Sequence, residues 1–134
     1  MADDIQTQMR QWQQLKEQAI SGEFRMDESI GEALRKRCEE MLDDLDVLTA
    51  DALNLQYLSG YGGLPSARAL QEKFQNKAVN GGPHDSKDSA VTRLQQHMEV
   101  VQLMHDTYAA AIGKLQAADQ AAGNQLTAHT EGMN

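Results

Sequence analysis

A heptad rhythm of apolar residues, set between two turn segments, constrains the fold of this chain more than any other feature. Asp27 or Ser29 is a good N-cap, and Ser29-Ile30-Gly31-Glu32 fits the capping-box pattern. The residues that follow at alternating steps of four and three are Leu34, Cys38, Met41, Leu45, Leu48, Ala52 and Leu55. This a/d spacing keeps one seam of a helix facing a partner helix, so it predicts a long helix over 27–58.

A second apolar rhythm of the same kind follows in the last third of the chain. Its members are Val91, Leu94, Met98, Val101, His105, Tyr108, Ile112, Leu115, Asp119 and Ala122. The rhythm predicts another long helix over 85–127, beginning near Asp85 or Ser86, with a disordered tail at 128–134. The two long helices have matching lengths, so we expect them to lie antiparallel as a hairpin.

Glycine and proline divide the rest of the chain. Three glycines and Pro65 within 59–65 predict the main turn, and a short helix is expected over 66–79 before Gly81, Gly82 and Pro83. A further amphipathic helix is predicted over 4–20, ending at Ser21-Gly22. The prediction is one helical domain over 1–127. Whether residues 4–20 cover the hairpin or bind another chain stays open at this point.

Composition supports an all-α fold and narrows the function. Among 134 residues, hydrophobic types make up 40% but aromatic types only 4%, which is a poor mixture for β-strands. The expected architecture is a long antiparallel helical hairpin with two short helices, resembling a four-helix bundle or coiled coil. The net charge of −8 disfavours nucleic acid and anionic membranes as partners.

No apolar run has the length of a membrane span, and the acidic start lacks the pattern of a signal peptide. We therefore expect no membrane insertion. Any export would follow a route that does not use a signal peptide.

Few residues have the spacing that chemistry requires. Glu39 and Asp43 lie one helical turn apart, but a helix holds such carboxylates apart, so a solvated face is the expected state. The single cysteine, Cys38, falls on the seam, where a thiol acts as a small apolar side chain. His105 also lies on the seam, where a polar residue typically fixes helix register. We predict no catalytic residue, metal or cofactor, and no enzyme activity.

The layout resembles a known family. The run Phe24-Arg25-Met26-Asp27-Glu28-Ser29-Ile30-Gly31-Glu32-Ala33-Leu34 and the ending Thr107-Tyr108-Ala109-Ala110-Ala111-Ile112-Gly113-Lys114-Leu115-Gln116-Ala117-Ala118-Asp119 look like actinobacterial helical-hairpin proteins of type VII (ESX) secretion, in the WXG superfamily. The likeness covers about residues 24–126. Tyr61-Gly62-Gly63 stands where the family often has Trp-x-Gly, and Leu115-x-x-x-Asp119 stands where its Tyr-x-x-x-Asp/Glu export signal is expected.

The resemblance implies a non-catalytic protein that is a secreted substrate, or a chaperone-like heterodimer partner of a helical effector targeting domain or of another helical hairpin. It would be cytoplasmic before export. The alternative is a cytoplasmic adaptor or regulator that self-associates, including as a homodimer. The residues predicted to form the packing or partner seams are Leu34, Met41, Leu45, Leu48, Leu55, Leu94, Met98, Val101, Tyr108, Ile112 and Leu115, with the turn Tyr61-Gly62-Gly63 and the degenerate export signal Leu115 and Asp119.

Overall fold

Four α-helices form the architecture seen in a computed structural model that describes residues 2–115. They are α1 (Ala2–Ser21), α2 (Glu28–Asn54), α3 (Pro65–Gln75) and α4 (Ala90–Ala111), with one π-helical turn (Asn76–Asn80) after α3. Over this part of the chain the fold is 74% helical and contains no strand. The predicted all-α, bundle-like class is therefore confirmed.

Most helix boundaries follow turn chemistry that the sequence signals. Glycine ends α1, because Gly22 adopts a φ of 89° and the amides of Gly22 and Glu23 bond the carbonyls of Ala19 and Gln18. This is a Schellman arrangement. Pro65 begins α3 directly after Leu64, a position where a missing amide hydrogen costs nothing. The short helix predicted over 66–79 thus corresponds to α3 and the π turn.

Three predicted boundaries are wrong. The helix α2 ends at Asn54 rather than at residue 58, because successive turns from Leu55 to Tyr57 follow Asn54 in place of regular helix. The helix α4 begins at Ala90 rather than at Asp85, because Asp85 instead pairs with Gly82 in a turn and the Ser89 hydroxyl caps the amide of Thr92. At its other end, α4 ends at Ala111 instead of running to residue 127, because Gly113 takes a φ of 81°. Residues 116–127 lie outside the described part of the chain.

The predicted capping box at the start of α2 is also corrected. The Asp27 carboxylate accepts hydrogen bonds from the amides of Ser29 (3.1 Å) and Ile30 (3.3 Å) and from the Ser29 hydroxyl. These bonds to the carboxylate lower the pKa of Asp27, the Ser29 hydroxyl contributing most. Ser29 is therefore a donor to the cap rather than the cap itself, and Glu32 is left for other partners.

The described chain divides into two compact units. Among the described residues, unit 1 comprises 2–39 and 100–115, and unit 2 comprises 40–99. In unit 1, α1 packs on α4, with Trp12 and Tyr108 in edge-to-face contact at 5.7 Å. Small side chains line its core at Ala19, Ala110 and Ala111, with Phe24 and Met26 packed against them. The first helix thus covers part of the chain's own apolar surface, which is one of the two possibilities left open by the sequence.

Within unit 1, α2 and α4 run antiparallel and approach closely. A Cβ placed on Gly31 of α2 would overlap the Cγ2 of Ile112, while Glu39 further along α2 reaches His105 of α4. In unit 2 the hydroxyl of Thr49 bonds the Leu45 carbonyl at 2.7 Å and contacts the Met98 sulfur at 3.9 Å.

Candidate interaction surface

The two heptad positions of α2 have different environments. One position is buried at every step, by Gly31, Cys38, Leu45 and Ala52. The other is exposed at every step, by Leu34 (36%), Met41 (47%), Leu48 (50%) and Leu55 (48%). Of the predicted α2 seam, Cys38, Leu45 and Ala52 are therefore buried in the chain's own core, whereas Leu34, Met41, Leu48 and Leu55 are not. The chain uses only one of the two heptad positions for its core, and a partner seam at the exposed position stays a prediction.

The predicted seam residues of the last helix are nearer the interior. Val101 is buried, whereas Leu94, Met98 and Tyr108 are half-buried. Ile112 and Leu115 follow the end of α4 and are also half-buried. Leu115 packs against the alanine cluster of unit 1, so it has a structural role, and Asp119 lies outside the described residues.

Large apolar side chains are exposed mainly on unit 2. Of the eleven that are exposed in the described part of the chain, nine belong to unit 2. They are Met41, Val47, Leu48, Leu53, Leu55, Tyr57, Leu64, Leu70 and Phe74. The helix α3 has no buried residue at all. Scattered apolar residues are normal on a protein surface, but here a whole helix has no buried side chain, so its apolar face is open to solvent.

An apolar cavity opens beside α3. It has a volume of about 360 Å³ and is lined mainly by Leu55, Leu58, Tyr61, Phe74 and Ala78. The predicted turn residue Tyr61 is half-buried there, with its ring 6.4 Å from that of Phe74, while Gly62 and Gly63 are exposed. The loop is fastened to α3 by the amides of Gln71 and Gln75, which donate to the carbonyls of Leu58 and Gln56.

Charged side chains in unit 1 form a chain of contacts across three helices. The Nε2 and Nδ1 atoms of His105 lie 3.1 Å from carboxylate oxygens of Glu39 and Asp106, respectively. The buried Lys16 of α1 lies 3.8 Å from Asp106, and Arg35 donates to Glu39 at 2.9 Å. Only the doubly protonated imidazolium can donate to both carboxylates. The network links α1, α2 and α4. Both ring nitrogens of His105 contact carboxylates within unit 1, so they are not available to fix helix register against another chain.

In unit 1, two further ionic contacts involve Glu32 near the start of α2, one within α2 and one to Lys114, which follows the end of α4. Glu32 accepts hydrogen bonds from Arg35 at 3.0 Å and from Lys114 at 3.1 Å. These two donors, Arg35 first, lower the pKa of Glu32 to about 2.

In unit 2 a comparable group of contacts orders the loop before α4. Lys77 and His84 lie 3.0 Å and 2.9 Å from Asp88 and lower the pKa of that carboxyl, Lys77 contributing more. An open cleft of about 440 Å³ lies nearby, and its lining mixes Glu72 with Lys73 and Lys77.

The single cysteine, Cys38, is not an activated thiol. Cys38 is buried, and burial, followed by the nearby Glu39 carboxylate, raises the pKa of its thiol. A raised pKa keeps the thiol in its less nucleophilic protonated form. Among residues 2–115, no group of three or more His, Cys, Asp and Glu side chains is placed to hold a metal ion.

Comparisons with known proteins add no relative to this picture. No protein-family model, no curated protein and no solved structure matches the chain. None of the helices between residues 2 and 115 has both the length and the apolar character needed to cross a membrane.

Proposed function

We propose that this chain is a non-catalytic helical binding protein of a type VII (ESX) secretion system, either as a secreted substrate or as the heterodimer partner of a helical effector domain or helical hairpin. One observation carries the binding role: unit 2 leaves nine large apolar side chains exposed, several of them at regular heptad spacing. The assignment to secretion is supported by the sequence resemblance over about residues 24–126.

The state of α3 supports a binding role on energetic grounds. Isolated helices shorter than about 12–15 residues are marginal in water, and tertiary packing of an apolar face normally supplies their stability. The 11-residue helix α3 has no buried side chain, yet it carries Leu70 and Phe74. A partner that covered these side chains would supply the packing that the chain itself does not.

Light scattering tests the binding role directly. The mass of the purified chain is measured over a wide concentration range, and again after co-expression with the proteins encoded beside it. A stable one-to-one complex is the expected result. A tight homo-oligomer that binds none of the co-expressed proteins would contradict the proposal and favour the self-associating adaptor.

Export is tested separately by comparing culture filtrate with cell lysate. Asp119→Ala should lower export if Leu115-x-x-x-Asp119 retains part of the signal, whereas unchanged export would assign the signal to the partner. Leu115 is a poor choice for this test because it packs in unit 1, so its removal would also affect folding.

A further inference from the structure

An exposed apolar stripe on unit 2 lies beside a row of carboxylates. The stripe consists of Met41, Leu48 and Leu55, which share one heptad position and are each about half exposed. Met41 and Leu48 lie on α2, about 10 Å apart along its axis at 1.5 Å rise per residue, and Leu55 follows directly after the last residue of the helix. Apolar side chains with this heptad spacing can pack against another helix, each one inserting as a knob into a hole between four side chains of the facing helix.

The flanking charges determine which helix fits. Asp44 and Asp51 are exposed and lie about 40–60° around the helix from the stripe, at roughly 100° per residue. They occupy the position that, in coiled coils, sets the choice of partner through ion pairs. Neither makes an ion pair with any residue between 2 and 115.

The stretch of chain that carries the stripe is acidic. The chain from residue 38 to residue 67 contains six carboxylates and no lysine, arginine or histidine. A second copy of the chain would bring the same carboxylates, and a net charge of −8, against this face. Like charges placed opposite each other oppose association, whereas complementary charges favour it.

We propose that the stripe of Met41, Leu48 and Leu55 is the docking site for a cationic amphipathic helix of another protein, with lysine or arginine facing Asp44 and Asp51. This inference rests on the proposed binding function and specifies the chemistry of the partner. The cavity next to Leu55 lies at one end of the stripe. Its lining is mainly apolar, with Lys77 as its one charged side chain, so it accepts a large apolar side chain of the docked helix as an anchor, while the cationic residues of that helix face Asp44 and Asp51.

The chain offers a matched control for the charge effect. Asp43 and Asp46 lie on the same helix and are equally classed as exposed, but they point about 140–160° away from the stripe, at roughly 100° per residue. The double variants Asp44→Asn/Asp51→Asn and Asp43→Asn/Asp46→Asn therefore change the net charge by the same amount. Only the first pair removes charge beside the stripe.

The apolar contact has a matched control as well. Val47 and Leu48 are neighbours in α2 and are both exposed, but Val47 lies on another side of the helix. Leu48→Ala removes the middle of the stripe, and Val47→Ala removes a comparable amount of apolar surface elsewhere. Exposed substitutions of this kind usually change stability little, which circular dichroism of each variant checks.

The probe is a labelled designed peptide of about three heptads, with leucine at a and d and lysine at the flanking e and g positions. A control peptide carries glutamate at the flanking positions, and binding is followed by fluorescence anisotropy. We expect the lysine peptide to bind and the glutamate peptide not to bind. Asp44→Asn/Asp51→Asn should weaken binding by about three- to tenfold, as expected for two surface ion pairs. Leu48→Ala should weaken it by on the order of tenfold. Asp43→Asn/Asp46→Asn and Val47→Ala should each change it by less than about twofold.

Three results would overturn the docking site. Equal binding of the two peptides would show that charge does not select the occupant, and equal weakening by the two aspartate pairs would place the peptide elsewhere. Self-association of the chain that Leu48→Ala abolishes would make a second copy the occupant.

The docking site and the proposed function fail in different ways. If a co-expressed neighbour still forms a one-to-one complex with the Leu48→Ala and Asp44→Asn/Asp51→Asn variants, the binding function stands and the docking site is wrong. If no neighbour binds while the lysine peptide shows the expected pattern, the docking site stands and the proposed cellular role is wrong.

Discussion

Replacing Gly31 by alanine should destabilise the fold, although alanine is the better helix former. In a helix interior the change from glycine to alanine normally contributes about 1 kcal/mol of stability. At Gly31, however, a Cβ would overlap the Cγ2 of Ile112 and would lie 3.3 Å from the Cγ of Met26. Ile112 is β-branched, so its Cγ2 is held stiffly and does not swing away at low cost.

The expected size of the effect follows from these opposing terms. Overpacking typically costs about 1–3 kcal/mol, and the overlap with a stiff atom places this site in the upper half of that range. After subtraction of the helix-propensity gain, Gly31→Ala should lower the free energy of unfolding by about 1–2 kcal/mol. For a chain of this length that corresponds to a Tm lower by roughly 3–10 °C.

A double-mutant cycle separates overlap from any other effect of the added methyl group. Urea and thermal unfolding, followed by circular dichroism, are measured for Gly31→Ala, Ile112→Ala and the double variant. Ile112→Ala removes the overlapping atom, so the double variant should be about 1 kcal/mol more stable than Ile112→Ala alone, with a coupling energy of about 2–3 kcal/mol. A Gly31→Ala protein as stable as wild type, or strictly additive variants, would refute the close approach of α2 and α4 at this point.

Three further predictions concern burial, pH and the thiol. Leu45→Asp should unfold the chain by placing an unpaired charge in the core of unit 2, whereas Leu48→Asp, on the exposed stripe, should leave the helical circular dichroism unchanged; the reverse outcome would exchange the two heptad positions. The folded-state pKa of Glu32 is about 2, below its ordinary value of 4.5, so its stabilising effect is present above about pH 4.5 and is lost as the pH falls toward 2; Glu32→Gln should therefore reduce the loss of thermal stability over that interval. Cys38 is buried with a raised pKa, so a thiol reagent should label the native protein far more slowly than the urea-unfolded protein, and equal rates would contradict its burial.

The sequence predicts the helices well because glycine and proline act locally. Gly22 and Pro65 end and begin helices through their own backbone preferences, which need no information about distant residues. The predicted end of α4 is wrong although a local glycine signal is present there too. The apolar rhythm continues through Ile112 and Leu115, whereas Gly113 closes the helix with bonds from its own amide and that of Lys114 to the carbonyls of Ala110 and Ala109. A glycine followed by lysine was the available signal for this Schellman motif.

The candidate surface depends on a distinction that heptad spacing alone does not make. In a heptad pattern, the a and d positions have the same period and similar apolar content, so the pattern predicts a seam without telling which position faces the interior. The buried position carries small side chains at Gly31, Cys38 and Ala52, and at Gly31 the space for a Cβ is occupied by Ile112, while Met41 and Leu48 remain exposed. Large residues at one position and small ones at the other were a usable signal for this choice.

The distribution of side-chain size also bears on how the chain's stability relates to binding. Of the twelve apolar side chains that are buried in the described residues, six are alanine and only Leu45 is leucine, whereas eleven large apolar side chains are exposed. Full burial of a leucine or methionine side chain contributes about 1.5–3 kcal/mol, and burial of alanine contributes much less. The larger apolar contribution is therefore still available on the surface, mainly on unit 2. A partner that binds the folded chain and covers this surface would stabilise it in proportion to the logarithm of partner concentration. If the proposed partner exists, the thermal stability of the isolated chain is only part of the stability of the bound chain, and the rest would be obtained on association.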